Sequence, residues 1–275
     1  MSARRTRRFL TFALLVSAAC AFGCAGPRID LQAWRAEQTV TAPAHDAGAL
    51  EAELQRVDGL RAERELAAAR QLALALVAEH PADPAALTAA SRAESDGVFL
   101  FAEDDRRSRD HAAASALDYA RSAEERGADS AGARAQLAWA LGTSTHLQPM
   151  FSRAGHARRT VEAAQAALAE DPDQAVALAT LALVNLRLET LPWIAKVMAW
   201  GAPDASLTAA EDFARRAVAR VPSRENRQIL AKVLLARERR DEARAELGAA
   251  LAAPAAHPRD SLLEPALRRL LESLE

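Results

Sequence analysis

From Ala47 onward, apolar residues recur at spacings of three and four, which is the period of an amphipathic helix. The pattern breaks at four places: His80-Pro81-Ala82-Asp83-Pro84, Gly127-Ala128-Asp129-Ser130, Asp171-Pro172-Asp173 and Val221-Pro222-Ser223. Each break sets a helix terminator beside a residue able to cap the next helix. The centres, near 81, 128, 172 and 222, recur every 44 to 50 residues, a period typical of helical repeat arrays. Before the breaks, small residues recur at helical spacing: Ala69 and Ala73, then Ala116, Ala120 and Ala123, then Ala164 and Ala167, then Ala210, Ala214 and Ala217. Alanine at such places lets two helices approach closely and lets the next pair stack on them.

This arrangement resembles the tetratricopeptide repeat. The best unit spans residues 224–255, where Leu230 and Ala231 fit its first helix and Ala243, Leu247 and Ala250 its second. The fold expected is all-α: a TPR-like right-handed solenoid of four to five helical hairpins, with a C-terminal capping helix near 259–274. The unit 175–222 is longer than a repeat of about 34 residues, and its surplus lies between the two helices, around Trp193 and Trp200. Seven residues apart, the two tryptophans share one face of a short helix. Plugging the hairpin core is the reading preferred for them, and anchoring a partner is the alternative.

The chain start has a different character. Arg4, Arg5, Arg7 and Arg8 precede an apolar run from Phe9 to about Ala21, too short to span a bilayer comfortably. The segment is similar to a bacterial lipoprotein signal, with Cys24 as the expected lipidated residue and Cys20 as the alternative. The domain organisation expected is therefore a signal peptide at 1–23, a tether at 24–46 and a helical repeat domain at 47–275. The resemblance implies a lipoprotein of the bacterial outer membrane, facing the periplasm and held there by its N-terminal lipid.

Composition narrows the function. Alanine makes up about a quarter of the 275 residues, aromatics only 4%, and the formal charge is −2. Small aliphatic residues with evenly mixed charges favour helix over strand, and near-neutrality gives no reason to invoke nucleic acid. Two cysteines make no disulfide framework. No phosphate loop, nucleophile elbow or zinc-protease helix is present, so no cofactor and no metal are expected. The weakest point of a non-catalytic reading is the stretch 144–156, where Ser144, His146, Ser152 and His156 lie close in sequence; an envelope enzyme using it is one alternative. Glu103, Asp104 and Asp105 read as a solvated loop or helix start.

In a tetratricopeptide array the first helix of each unit lines the concave groove. Trp139, Leu183, Leu186, Gln228 and Lys232 fall on that lining, which predicts a groove apolar in its middle. Only Lys232 has the character of a carboxylate clamp. Such a groove suits a protein partner, or alternatively an apolar ligand.

Two families share these features. Leu191-Pro192-Trp193-Ile194-Ala195-Lys196, then Gly201-Ala202-Pro203-Asp204-Ala205-Ser206 before a helix from Ala209, resemble the tetratricopeptide domain of the regulator-of-microtubule-dynamics family and its bacterial relatives. The likeness runs through Pro222, the hairpin Leu230 to Ala252 and the closing stretch from Asp260, and more weakly upstream to about residue 60. It implies the fold and a non-catalytic binding role; the lipoprotein-like start argues against a microtubule role. A lipoprotein signal ahead of about four irregular hairpins is also similar to the TatT component of TRAP transporters, which would imply an accessory subunit handling a hydrophobic solute.

Overall fold

The computed structural model describes residues 47–102, 104–193, 201–253 and 259–274. Cys20, Cys24, the segments 1–23 and 24–46, and Trp200 lie outside the described residues. The compact unit is Gly48–Glu275. Among the described residues there are eleven α-helices and no strands. They are α1 (Ala47–Ala62), α2 (Leu66–Glu79), α3 (Pro84–Gly97), α4 (Arg106–Glu125), α5 (Ala131–Ser144), α6 (Arg153–Glu170), α7 (Ala175–Glu189), α8 (Leu207–Arg220), α9 (Arg224–Ala236), α10 (Arg240–Ala252) and α11 (Asp260–Glu272).

The four sequence breaks are the links between hairpins, and their polar residues cap as expected. Asp83 accepts from the amides of Ala85 and Ala86 at 2.9 Å, with Pro84 in the first turn of α3. Ser130 caps α5 and Ser223 caps α9. At the third break the cap is Gln174, whose side chain accepts from Val176, rather than the aspartates before it. Asp105 caps α4 through the Ser108 amide. Gly127 ends α4 at φ +86°, with Ala128 N–H bonded back to Ala123 at 2.9 Å. That six-to-one closure needs a left-handed residue, which is why glycine stands there.

Successive helices pair as antiparallel hairpins, α3 with α4, α5 with α6, α7 with α8 and α9 with α10, and the second helix of each packs on the first of the next. The first helices α3, α5, α7 and α9 also touch in sequence, and α11 closes the series against α9 and α10. This is a tetratricopeptide-like solenoid. The crossings are lined by alanine, with Ala116, Ala164, Ala182, Ala210, Ala214, Ala231, Ala243 and Ala250 all fully buried. Leucines fill the gaps between them: Leu141, Leu178, Leu230, Leu234 and Leu247 are buried. The connection between the helices of a hairpin is tight at 237–239 but long at 98–105, 145–152 and 190–206, and those insertions stretch the repeat period beyond about 34 residues.

Because alanine sets the helix separation, an enlarged crossing residue must push helices apart. Ala231→Leu is expected to cost about 1–3 kcal/mol, read as a lower midpoint in urea denaturation. Ala249→Leu, on the exposed side of α10, should change stability by no more than about 0.5 kcal/mol. Equal effects at the two positions would contradict this account of the packing.

Candidate functional site

The concave face is formed by α3, α5, α7 and α9, and it is more polar than the sequence reading expected. α3 buries Thr88, Ser91, Glu94, Ser95 and Asp96. Ser91 donates to the Ala116 carbonyl at 2.8 Å, and Gln136 of α5 donates to Ser91 and Ser95 at 2.9 and 3.0 Å. Buried polar groups need such partners. Glu94 meets Arg70 at 2.9 Å.

Across this face runs a chain of alternating charges. Arg61 of α1 meets Asp96 of α3 at 2.7 Å. Asp96 meets Arg259, just before α11, at 3.4 Å, and Arg259 meets Glu225 of α9 at 2.5 Å. The Arg259 guanidinium also lies 4.8 Å from the ring centre of Trp139 and 5.3 Å from that of Phe99, within cation–π range. Trp139 is thus only 6% exposed, beneath a cation rather than open to a ligand. Burial, reinforced by Asp96 and Asp260, holds the Glu225 carboxyl above the usual carboxylate range despite Arg259. A polar cavity of 310 Å³ remains beside these residues, lined by Arg61, Arg92, Asp96, Gln136, Trp139 and Arg259 among others.

The other groove residues are spread along the same face. Leu186 is buried and Leu183 half-buried, both packed in the core that α7 shares with α8 and α9. Gln228 is buried, and its Oε1 accepts from Lys232 Nζ at 3.2 Å. Lys232 stands exposed in the concavity. Although its tip meets solvent, partial loss of hydration between the walls of the concavity, and then the charge of Arg187, hold its ammonium below the usual lysine range.

A second candidate region lies at the edge of the solenoid where first helices turn into second helices. A cavity of 720 Å³ opens there between the α5–α6 and α7–α8 hairpins, against Ala154, Ala157, Val184, Leu188, Leu191 and Pro192. Met150 also lines it, and Met150 and its neighbour Phe151 are 55% and 85% exposed. Trp193, next to the lining residue Pro192, is 74% exposed. It stands in solvent rather than plugging the hairpin core, because the long 190–206 connection carries it out past the end of α7.

The histidines of the 144–156 stretch have separate environments. His146 is exposed and bonds Asp110 at 2.9 Å and the Thr143 carbonyl at 2.9 Å. His156 is buried, and burial holds its ring below the usual histidine value. Its Nε2 lies 2.9 Å from the Leu141 carbonyl, an atom that only accepts, so Nε2 carries the proton. Ser144 Oγ is 3.5 Å from that same nitrogen and donates to the Ala140 carbonyl at 2.6 Å. A nitrogen already bearing a proton cannot act as base toward Ser144.

Sequence reasoning missed Arg61, Asp96 and Arg259, and it set Glu225 on the groove lining with Gln228 and Lys232 without foreseeing its pairing with Arg259. The one signal on offer was Ser91, Glu94 and Ser95 at core spacing in α3, where an apolar stripe belongs.

The family model for regulator of microtubule dynamics protein 1-3 matches residues 53–275. No curated protein matches the chain. Among solved structures, TTC0263, a thermophilic TPR protein of Thermus thermophilus, shares 20% identity over 82% of this chain and 98% of its own, at a TM-score of 0.57. That likeness is one of fold alone. The human IFIT1 dimer with PPP-AAAA is matched at 15% identity and a TM-score of 0.40, over 70% of this chain and 46% of that one.

Removing the central cation leaves Asp96 and Glu225 buried without it. Arg259→Ala should therefore cost about 3–5 kcal/mol, measured by urea denaturation. A second expectation concerns pH. A carboxyl that titrates higher when folded binds more protons in the fold than in the unfolded chain, so its contribution to stability falls as pH rises between the two values. Glu225→Gln should thus gain on the wild type as pH rises from about 4.5 toward neutrality. A difference independent of pH would contradict the raised Glu225.

Proposed function

This chain belongs to the regulator of microtubule dynamics protein 1-3 family, and on that premise we propose that it is a non-catalytic, membrane-tethered helical scaffold that docks a protein partner. Cys24, with Cys20 as the alternative, carries the lipid, and residues 24–46 set the reach of the repeat domain into the periplasm. The arginine-rich start followed by a short apolar run supports this anchoring. Among the described residues, no helix is long and apolar enough to cross a membrane.

One observation carries the docking reading. Of the large apolar side chains that stand exposed among the described residues, Leu100, Met150, Phe151 and Trp193 all sit on the long connections within hairpins, and only Leu262 lies elsewhere. In a stack of parallel first helices those connections share one edge. Clustered exposed aromatic and aliphatic residues mark interaction surfaces. The concave face, the surface expected from sequence to hold the partner, is crossed by Arg259 and its carboxylates. The partner therefore docks on the loop edge.

Two measurements test this. Labelling cells with an alkyne-bearing palmitate analogue should mark the wild type and leave Cys24→Ala unmarked; an unmarked wild type would refute lipidation, and label retained when Cys20 and Cys24 are both replaced by Ala would move it off these cysteines. Cross-linking in native membranes should capture a specific partner that is lost in Phe151→Asp and in Trp193→Asp, while Glu125→Ala, on an exposed helix end, retains it. Capture that survives both aspartate variants would move the contact off this edge.

A further inference from the structure

Most arginines of the described residues meet a carboxylate. Arg61, Arg70, Arg134, Arg159, Arg215, Arg224, Arg227, Arg239 and Arg259 all do so within 3.5 Å. Arg153 and Arg187, which line the 720 Å³ edge cavity, and Arg158 close by in sequence are among those that do not. Arg153 donates to the carbonyls of Gln148 and His146 at 3.0 Å. Arg187 donates to the Gly142 carbonyl at 3.0 Å, and Arg158 to that of Gly201. None of these three meets a carboxylate among the described residues. Among the described residues, the cavity lining holds no aspartate or glutamate; the lining His146 is engaged by Asp110 outside it.

Arg187 is exposed, so its side chain is open to an arriving partner. Arg153 and Arg187 both line the cavity, and no acid lies beside them among its described lining residues, so an arriving anion meets positive charge that no carboxylate offsets. The excess is local, because the whole chain carries a formal charge of −2. Beside the cations lie the apolar wall of Val184, Leu188 and Leu191 and the exposed Met150, Phe151 and Trp193.

We infer that the edge cavity between the α5–α6 and α7–α8 hairpins docks an acidic polypeptide segment, with bulky apolar side chains seated in the cavity and carboxylates on Arg153 and Arg187. The inference rests on the scaffold reading and names the chemistry of its partner. A polypeptide fits better than a single acyl chain, because apolar anchors stand out from the rim and aromatic residues beside arginine are the usual energetic centres of protein interfaces. Charge complementarity adds specificity and encounter rate.

The test uses the full chain and two fluorescein-labelled amphipathic helical peptides. Both carry one stripe of Leu and Phe; one has glutamates flanking the stripe and the other has lysines. Fluorescence anisotropy should show the glutamate peptide binding at least about tenfold more tightly, with an affinity that falls as ionic strength rises. Arg153→Gln and Arg187→Gln should each remove most of that preference. The salt dependence of the wild type stands even if a variant folds poorly. Equal binding of both peptides, binding of neither, or binding of dodecanoate while both peptides stay inert would each overturn the inference. If Phe151→Asp nonetheless loses the cross-linked partner, the scaffold reading survives and only the acidic chemistry falls.

Discussion

Arg259 is a buried cation in a protein whose helix crossings are lined by alanine and leucine, and its requirement for partners organises the molecule. A guanidinium withdrawn from water must be met on its faces and along its edges. Here Trp139 and Phe99 take the faces, and Asp96 and Glu225 take the edges. Those four residues come from α3, the segment after it, α5 and α9. A repeat array is otherwise held by contacts between neighbours alone. Arg259 adds a contact that joins the C-terminal end to the N-terminal half, and through Asp96 it reaches Arg61 on α1.

That closure changes which surface is free. The concave face of an array is its natural groove, but here it is occupied by the chain's own charges, and Trp139 lies covered. The long connections within hairpins then become the exposed apolar surface, and Arg153 and Arg187, which meet no carboxylate among the described residues, line the cavity beside them. A scaffold reading survives the closure, with its contact moved from the groove to the loop edge. The stretch 144–156 belongs to the same edge, where His146 and His156 serve the fold through carbonyls and Asp110 rather than through each other.

The fold was largely legible in the sequence because its determinants are local. The breaks at 81, 128, 172 and 222 became links between hairpins, and Ala116, Ala164, Ala214 and Ala243 became crossings, since capping and helical spacing act over a few residues. Gln174 rather than an aspartate caps α7, a choice between adjacent residues that spacing does not decide. The site was less legible. Trp139 was placed on the concave face, but its cover came from a residue far along the chain, and a polar pairing across four helices leaves no periodic trace. The polarity of α3 was the visible clue, because Ser91, Glu94 and Ser95 occupy positions that packing makes interior.

The account turns on whether Arg259 couples the two ends of the array, and native-state hydrogen exchange reads this directly. In Arg259→Gln, amides of α3, between Pro84 and Gly97, should lose protection together with those of α9 and α11. That result would place both ends in one cooperative unit. Loosening confined to residues 224–274, with α3 as protected as in the wild type, would contradict the account and reduce the buried charges to a local feature of the C-terminal cap.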